Sequence, residues 1–469
     1  MSVIQPARLL SRSQHVLPGF LHIQELFFEV PRNYSRPGLG NIQLFGRIVN
    51  RVEKPQGPRT TSRNSPASPP FKPFMVYLEG GPGFGNRQPG EHPLTSQILD
   101  RGYQLLYLDY RGTGLSTPIN ARHLKSLGDA QAQADYLKLF RQDNIVRDLE
   151  AVRACLATED DWPENSQQWS IFGQSFGGFV SLTYLSSYPE SLRECFMTGG
   201  LAPIRRTATE VYQATFRKVI QRNEAYYKKF PEDIAKIRRI VEYIDRNLIA
   251  LPAGGPLTVP RFLALGIAFG MHGGLNSVHT LVLKMVADLD QFGYFTRSTL
   301  NTYEQTSAFD VAPIYAILHE AIYCFKPGVK SNWAAEHVAS QLEEFAWLTK
   351  GDDVPADKPL YFTGEMVFPS HFESFPELEE MREAADILAK YDQWDDLYSL
   401  HQLRENKVPV FAASYIEDMY VDFDLARETA SLVAGIKVYE TNELYHNALR
   451  SCTNQVLEAL FKMRDDAID

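Results

Sequence analysis

The sequence predicts an α/β fold, a largely parallel sheet interrupted by a substantial, mainly helical insertion before its last strands. Three observations lead there. Short apolar runs alternate with helix-compatible stretches through the first 200 residues, a glycine-rich turn joins one such run to a helix, and strand character returns only after residue 400.

In the N-terminal part, residues 21–30, 42–52, 74–78 and 104–108 combine β-branched and aromatic side chains and read as strands. Residues 54–73, rich in Pro, Ser, Thr and basic side chains, read as an exposed loop between neighbouring strands. Residues 121–162 look helical and lead into the apolar strand 169–172. A tight turn over 173–178, a helix over 179–188 and a strand at 195–198 follow, ending at Gly199 and Gly200. The texture changes near Ala202. Segments 207–230, 234–247, 262–268, 278–289, 303–323, 334–348 and 376–390 are mainly helix candidates. Strands resume at 408–415 and 435–439. The expected organisation is a sheet domain formed by 1–203 and 401–469, with a helical cap over 204–400. No internal repeat or sustained heptad is present.

Composition narrows the class. With 44% hydrophobic and 22% charged residues, the 469-residue chain reads as an ordinary globular protein. A net charge of −10 and a pI near 5.6 disfavour a general nucleic-acid footprint and are compatible with a substrate carrying a positive group. No uncharged apolar run reaches the roughly 18 residues of a membrane helix. The N-terminus lacks the apolar core of a secretory signal, so the cytoplasm is the expected location. Cys155, Cys195, Cys324 and Cys452 are scattered, make no close ligand pair and are expected to be free thiols. Asn33-Tyr34-Ser35 matches a glycosylation acceptor that this location leaves unused.

Gly173-Gln174-Ser175-Phe176-Gly177 carries the strongest chemical signal. Set between a strand and a helix, such a pattern holds serine in a strained turn, and small neighbours let the backbone turn without collision. Ser175 is the expected nucleophile. Glu79-Gly80-Gly81-Pro82-Gly83 follows the strand 74–78, and its glycines allow close backbone approach. The N–H groups of Gly81 and Phe176 are the expected oxyanion hole. Asp109-Tyr110-Arg111-Gly112-Thr113-Gly114 reads as a structural turn beside the site, ordered by an Asp109–Arg111 pair. Neither glycine-rich turn completes a dinucleotide-binding pattern, and no cofactor is expected.

A serine nucleophile needs a general base, and the base needs an orienting carboxylate. Of eleven histidines, only His401 and His446 lie near or beyond the returning strands, and His446 follows the last one. Asp418 lies just after the strand 408–415, with Glu417, Asp422 and Asp424 as rivals. Ser175, Asp418 and His446 thus form the expected triad, in the order Ser, acid, His.

Several segments carry a family resemblance: GGPGFG at 80–85, DYRGTG at 109–114, GQSFGG at 173–178, HEAIYC at 319–324, GEMVFP at 364–369, YIEDMYVD at 415–422 and TNELYHNALR at 441–450. Together they resemble the larger form of proline iminopeptidase, or prolyl aminopeptidase, of the α/β-hydrolase superfamily. The resemblance implies an α/β-hydrolase sheet with a helical cap, release of N-terminal proline from peptides through an acyl-enzyme, and catalytic roles for Ser175, Asp418 and His446. It also makes Glu320 and Glu365 candidates for holding the substrate's free amine, with Tyr323 beside the pyrrolidine ring. Glu79 stands where the family more commonly has histidine. The partners implied are peptides with a free N-terminal proline, with no nucleic acid or membrane. Three other readings stay open: a broader serine esterase or amidase, a non-enzymatic binding protein of the same fold, and a zinc peptidase. The last is weak, because Tyr323 replaces the second histidine of an HExxH pattern at His319.

Overall fold

Alternation along Leu21–Pro31 buries Leu21, Ile23, Leu26, Phe28 and Val30 while the intervening side chains stay half-exposed. This strand, β2, lies next to the edge of one nine-stranded sheet seen in the computed structural model, which describes residues 4–51, 71–160, 162–163, 166–306, 309–350 and 358–466. Its partners are β1 (Arg8–Leu17) and β3 (Asn41–Arg51), both antiparallel to it. The following strands are β4 (Phe74–Leu78), β5 (Gln104–Leu108), β6 (Trp169–Gln174), β7 (Leu192–Thr198), β8 (Val410–Tyr415) and β9 (Ile436–Thr441). The order across the sheet is β1-β2-β3-β5-β4-β6-β7-β8-β9, and every pair from β5 to β9 is parallel.

The central strands are continuous apolar runs because helices cover both faces. Val76, Leu78, Leu106 and Ile171 face Val152, Leu156, Val180 and Leu182, which come from the helices Gln142–Glu159 and Phe176–Ser187. On the opposite face, Met75, Tyr77, Phe172, Phe196 and Phe411 meet Leu457, Leu460 and Phe461 of the helix Thr453–Asp465. Buried this way, the sheet is a rigid platform for the loops at its edge.

The chain between β7 and β8 is largely helical. Long helices at Ala208–Lys229, Asp233–Arg246 and Gly274–Phe292 match the expected periodicity. Other expected helices are broken. The 303–323 stretch contains the end of Arg297–Thr306, the short helix Pro313–Leu318 and two 3₁₀ turns, and 334–348 divides into Ala334–Ala339, the 3₁₀ turn Glu343–Phe345 and the start of the short helix Trp347–Lys350. Likewise 121–162 divides into Ala121–Leu127, Ala130–Leu137 and Gln142–Glu159, with Gly128-Asp129 and Arg141 at the joints. Tyr212, Phe216, Phe262, Phe269 and Phe362 extend the sheet's core into this helical region.

β1 has no counterpart in the sequence expectation. It is an edge strand with mostly exposed side chains, so the apolar alternation that marks a half-buried strand is missing. The loop expected at 54–73 lies almost wholly outside the described residues. Among the described residues, no helix is long and apolar enough to cross a membrane. All four cysteines are free thiols.

Candidate active site

Close backbone packing shapes the turn that carries Ser175. β6 extends to Gln174 and the next helix starts at Phe176, so the expected six-residue turn contracts to Ser175 itself, with φ 54° and ψ −121°. A non-glycine residue at this φ is strained and persists where its surroundings fix it. Ser175 N–H donates to the Thr198 carbonyl (3.0 Å), and Gly178 N–H donates to the Ser175 carbonyl (2.7 Å). A Cβ on Gly177 would lie 2.0 Å from the Leu78 carbonyl oxygen, and one on Gly178 would lie 2.3 Å from that of Gly200. The glycines after the serine are therefore required by the approach of the helix to the sheet.

Two other sheet loops converge on this turn. Asp418 follows β8, and His446 follows β9. Ser175 Oγ–H points to His446 Nε2 at 2.8 Å, and His446 Nδ1–H donates to Asp418 Oδ2 at 2.8 Å. Asp418 Oδ1 accepts the N–H groups of Tyr420 (2.8 Å) and Val421 (3.0 Å). Of the rival carboxylates, Glu417 pairs with Lys218, and Asp422 caps the helix Phe423–Ala430. Burial disfavours the His446 cation, yet Asp418, with a further contribution from Glu365, raises the imidazole pKa above its ordinary value. Tyr420 stacks edge-on against His446 at 4.6 Å, and its hydroxyl donates to the Ile267 carbonyl.

Ser175 and His446 open into a cavity of about 390 Å³ that is also lined by Gly80, Gly81, Phe84, Ile267, Phe309, Tyr315, Glu365 and Arg450. Gly81 reaches it with φ 126°. A Cβ on Gly80 would come 3.1 Å from Ser175 Cβ, which measures how closely this loop passes the serine. Phe176 N–H is the first amide of its helix, while its side chain is buried against Tyr110 and Phe179. Neither this amide nor that of Gly81 donates to another protein group among the described residues.

Glu365 lines the cavity and accepts from Tyr315 O–H at 3.5 Å. Burial pushes its carboxyl up to about 8, with His446 pulling the other way. Glu320 and Tyr323 do not line the cavity. Glu320 Oε1 accepts the Ala335 N–H at 2.9 Å, Oε2 has no protein partner among the described residues, and burial pushes this carboxyl up to about 7. Tyr323 packs between Phe179 and Tyr212. The negative charges of Glu320 and Glu365 both act on the buried Tyr212 hydroxyl, so the two carboxylates belong to one electrostatic region.

The expected Asp109–Arg111 pair does not form. Asp109 accepts the N–H groups of Asn86 and Leu115, whereas Arg111 grips Asp148 with two bonds of 2.7 and 2.6 Å. The loop is ordered through the helix Gln142–Glu159 instead. Sequence reasoning also passed over Arg450. Its guanidinium donates to the buried Glu79 carboxylate at 3.1 Å, and Gly80 N–H donates to the same oxygen. An acid in place of the family's more common histidine was the signal that a compensating cation was needed.

The alpha/beta hydrolase fold family matches residues 73–241. A proline iminopeptidase of Aspergillus aculeatus is 39% identical over 467 residues, covering 99% of each chain. A proline iminopeptidase of Aeromonas sobria is 39% identical over 453 residues, covering 96% of this chain and 98% of its own.

Proposed function

Since the chain belongs to the proline iminopeptidase family of α/β-hydrolases, we propose that it is a serine aminopeptidase releasing N-terminal proline from peptides. The observation that carries this reading is the continuous hydrogen-bonded path from Ser175 through His446 to Asp418, opening into a cavity that also holds Glu365.

In this reaction His446 takes the Ser175 proton as Oγ attacks the prolyl carbonyl carbon. The carbonyl oxygen becomes negative and is held by the N–H groups of Gly81 and Phe176. Asp418 stabilises the imidazolium, which then delivers its proton to the leaving nitrogen as the C–N bond breaks. Water, deprotonated by His446, attacks the prolyl ester and releases proline. The raised His446 pKa favours proton acceptance during attack.

Burial favours the neutral form of Glu365 in the empty cavity, and the substrate's secondary ammonium is the counter-charge that stabilises its ionised form. A charge-assisted bond there fixes the register of an exopeptidase and disfavours blocked amino ends. Glu320 acts from outside the cavity lining, and Tyr323 packs edge-on against Tyr212, on whose hydroxyl both acids act. Phe84, Ile267, Phe309 and Tyr315 give the apolar pyrrolidine ring its walls. We place the enzyme in the cytoplasm, a setting in keeping with its four unpaired cysteines.

The test compares free Pro-, free Ala- and amino-blocked Pro-amides with wild-type and Ser175→Ala protein. Strong preference for free proline, abolished by the substitution, is expected. Equal or faster turnover of the blocked substrate would overturn the aminopeptidase reading in favour of a broader esterase or amidase.

A further inference from the structure

Arg450 lies four residues beyond His446 and shares the cavity with Ser175 and Glu365. The only hydrogen bond of its guanidinium among the described residues runs from one terminal nitrogen to Glu79, and its side chain is 39% exposed. A guanidinium carries five N–H donors, so most of this group's capacity remains open to a ligand. Glu79 is 2% exposed and fixes the guanidinium from below, which lowers the cost of ordering it when an anion binds. Around it the outer lining includes Phe84, Met271 and Val311, all exposed in the free protein, together with the polar side chains of Thr306 and Asn447.

The cavity therefore contains an acid, a nucleophile and a cation in about 390 Å³. A short peptide has the complementary pattern: an ammonium at one end, a scissile carbonyl and a carboxylate at the other. We propose that Arg450 is a specificity-determining residue that binds the free carboxylate of the leaving amino acid, directing the enzyme toward prolyl dipeptides. The inference rests on the aminopeptidase reading above and goes beyond it by assigning the leaving-group side. Planar recognition of a carboxylate suits arginine, and the apolar side chains of the rim strengthen the contact by excluding water.

The test is the ratio of kcat/KM for Pro-Ala to that for Pro-Ala-amide. Removing Arg450 alone would strand the buried Glu79 charge, so the variants are Glu79→Gln and the double variant Glu79→Gln with Arg450→Met. The ratio is expected to be kept in Glu79→Gln and to fall by about tenfold or more in the double variant, the size of a lost charged hydrogen bond. An unchanged ratio in the double variant overturns the proposal. A general folding defect lowers both substrates together and leaves the ratio intact, so residual activity of the double variant suffices. If the double variant is inactive, the wild-type series Pro-Ala, Pro-Ala-Ala and Pro-Ala-Ala-Ala decides: a progressive fall supports a fixed carboxylate site, and equal turnover overturns it. Turnover of simple prolinamide by the wild type separately checks the underlying aminopeptidase reading.

Discussion

Replacing Asp418 by Asn tests the base and its orienting acid together. The carboxylate accepts two backbone N–H groups on Oδ1 and the imidazole N–H on Oδ2. An asparagine of the same shape keeps both backbone bonds only with its carbonyl oxygen at the Oδ1 position. Its NH2 group then faces His446 Nδ1, which must accept rather than donate. The imidazole proton moves to Nε2, leaving no lone pair for Ser175 Oγ–H. A wrong tautomer of this kind lowers kcat/KM by about 10⁴-fold, equivalent to about 5.5 kcal/mol of transition-state stabilisation. Both backbone bonds survive, so the thermal midpoint should change little. The assay is initial-rate hydrolysis of a proline arylamide across the acid and neutral range. In the wild type, activity requires neutral His446 and is lost as pH falls through its raised pKa. Without the carboxylate, the residual acid limb should move to lower pH. A loss smaller than about tenfold with an unmoved acid limb would refute the reasoning, since neither tautomer nor pKa would then depend on Asp418.

Three further perturbations probe other parts of the structure. Gly199→Ala would place a Cβ 3.3 Å from His446 Nδ1 and 3.5 Å from Asp418 Oδ2 at φ 54°; kcat should fall at least about tenfold from misalignment, with far-UV circular dichroism retained. Glu365→Gln should raise KM for prolyl amides about tenfold. In the wild type, affinity should rise with pH as Glu365 ionises toward about 8, a trend that the variant should lack. Arg111→Met strands the buried Asp148 carboxylate and should cost about 3–5 kcal/mol in urea denaturation, most of it recovered by adding Asp148→Asn.

The parts of the fold readable from sequence were those with strong local patterns. β4 and β5 are dense apolar runs, and their boundaries in the structure coincide with the expected ones. β1 was invisible because an exposed edge gains its order from hydrogen bonds to β2 rather than from its own apolar pattern. The broken helices between β7 and β8 kept enough apolar residues to look continuous, but Pro313 and the turns around it divide them. At the site, chain order brought Ser175, Asp418 and His446 into view because each follows a recognisable strand. Pairings between distant segments were less accessible. Arg111 had a nearby acid in Asp109 yet joins Asp148, and Glu79 meets Arg450 across almost the whole chain. Glu320 and Glu365 looked equivalent as acidic cap residues, while only Glu365 reaches the cavity wall.

Tyr420 gives the loop after β8 a second allegiance. Its amide holds Asp418, its ring abuts His446, and its hydroxyl is fastened to Ile267 in the helical region above the sheet. A Cβ on Gly270 would collide with that ring, so the fastening is tightly seated. Lifting the roof away from the sheet must therefore either release this latch or tug the acid with it. Access and alignment become mechanically linked: a substrate bulky enough to prop the roof open would also loosen the alignment of the group meant to cleave it.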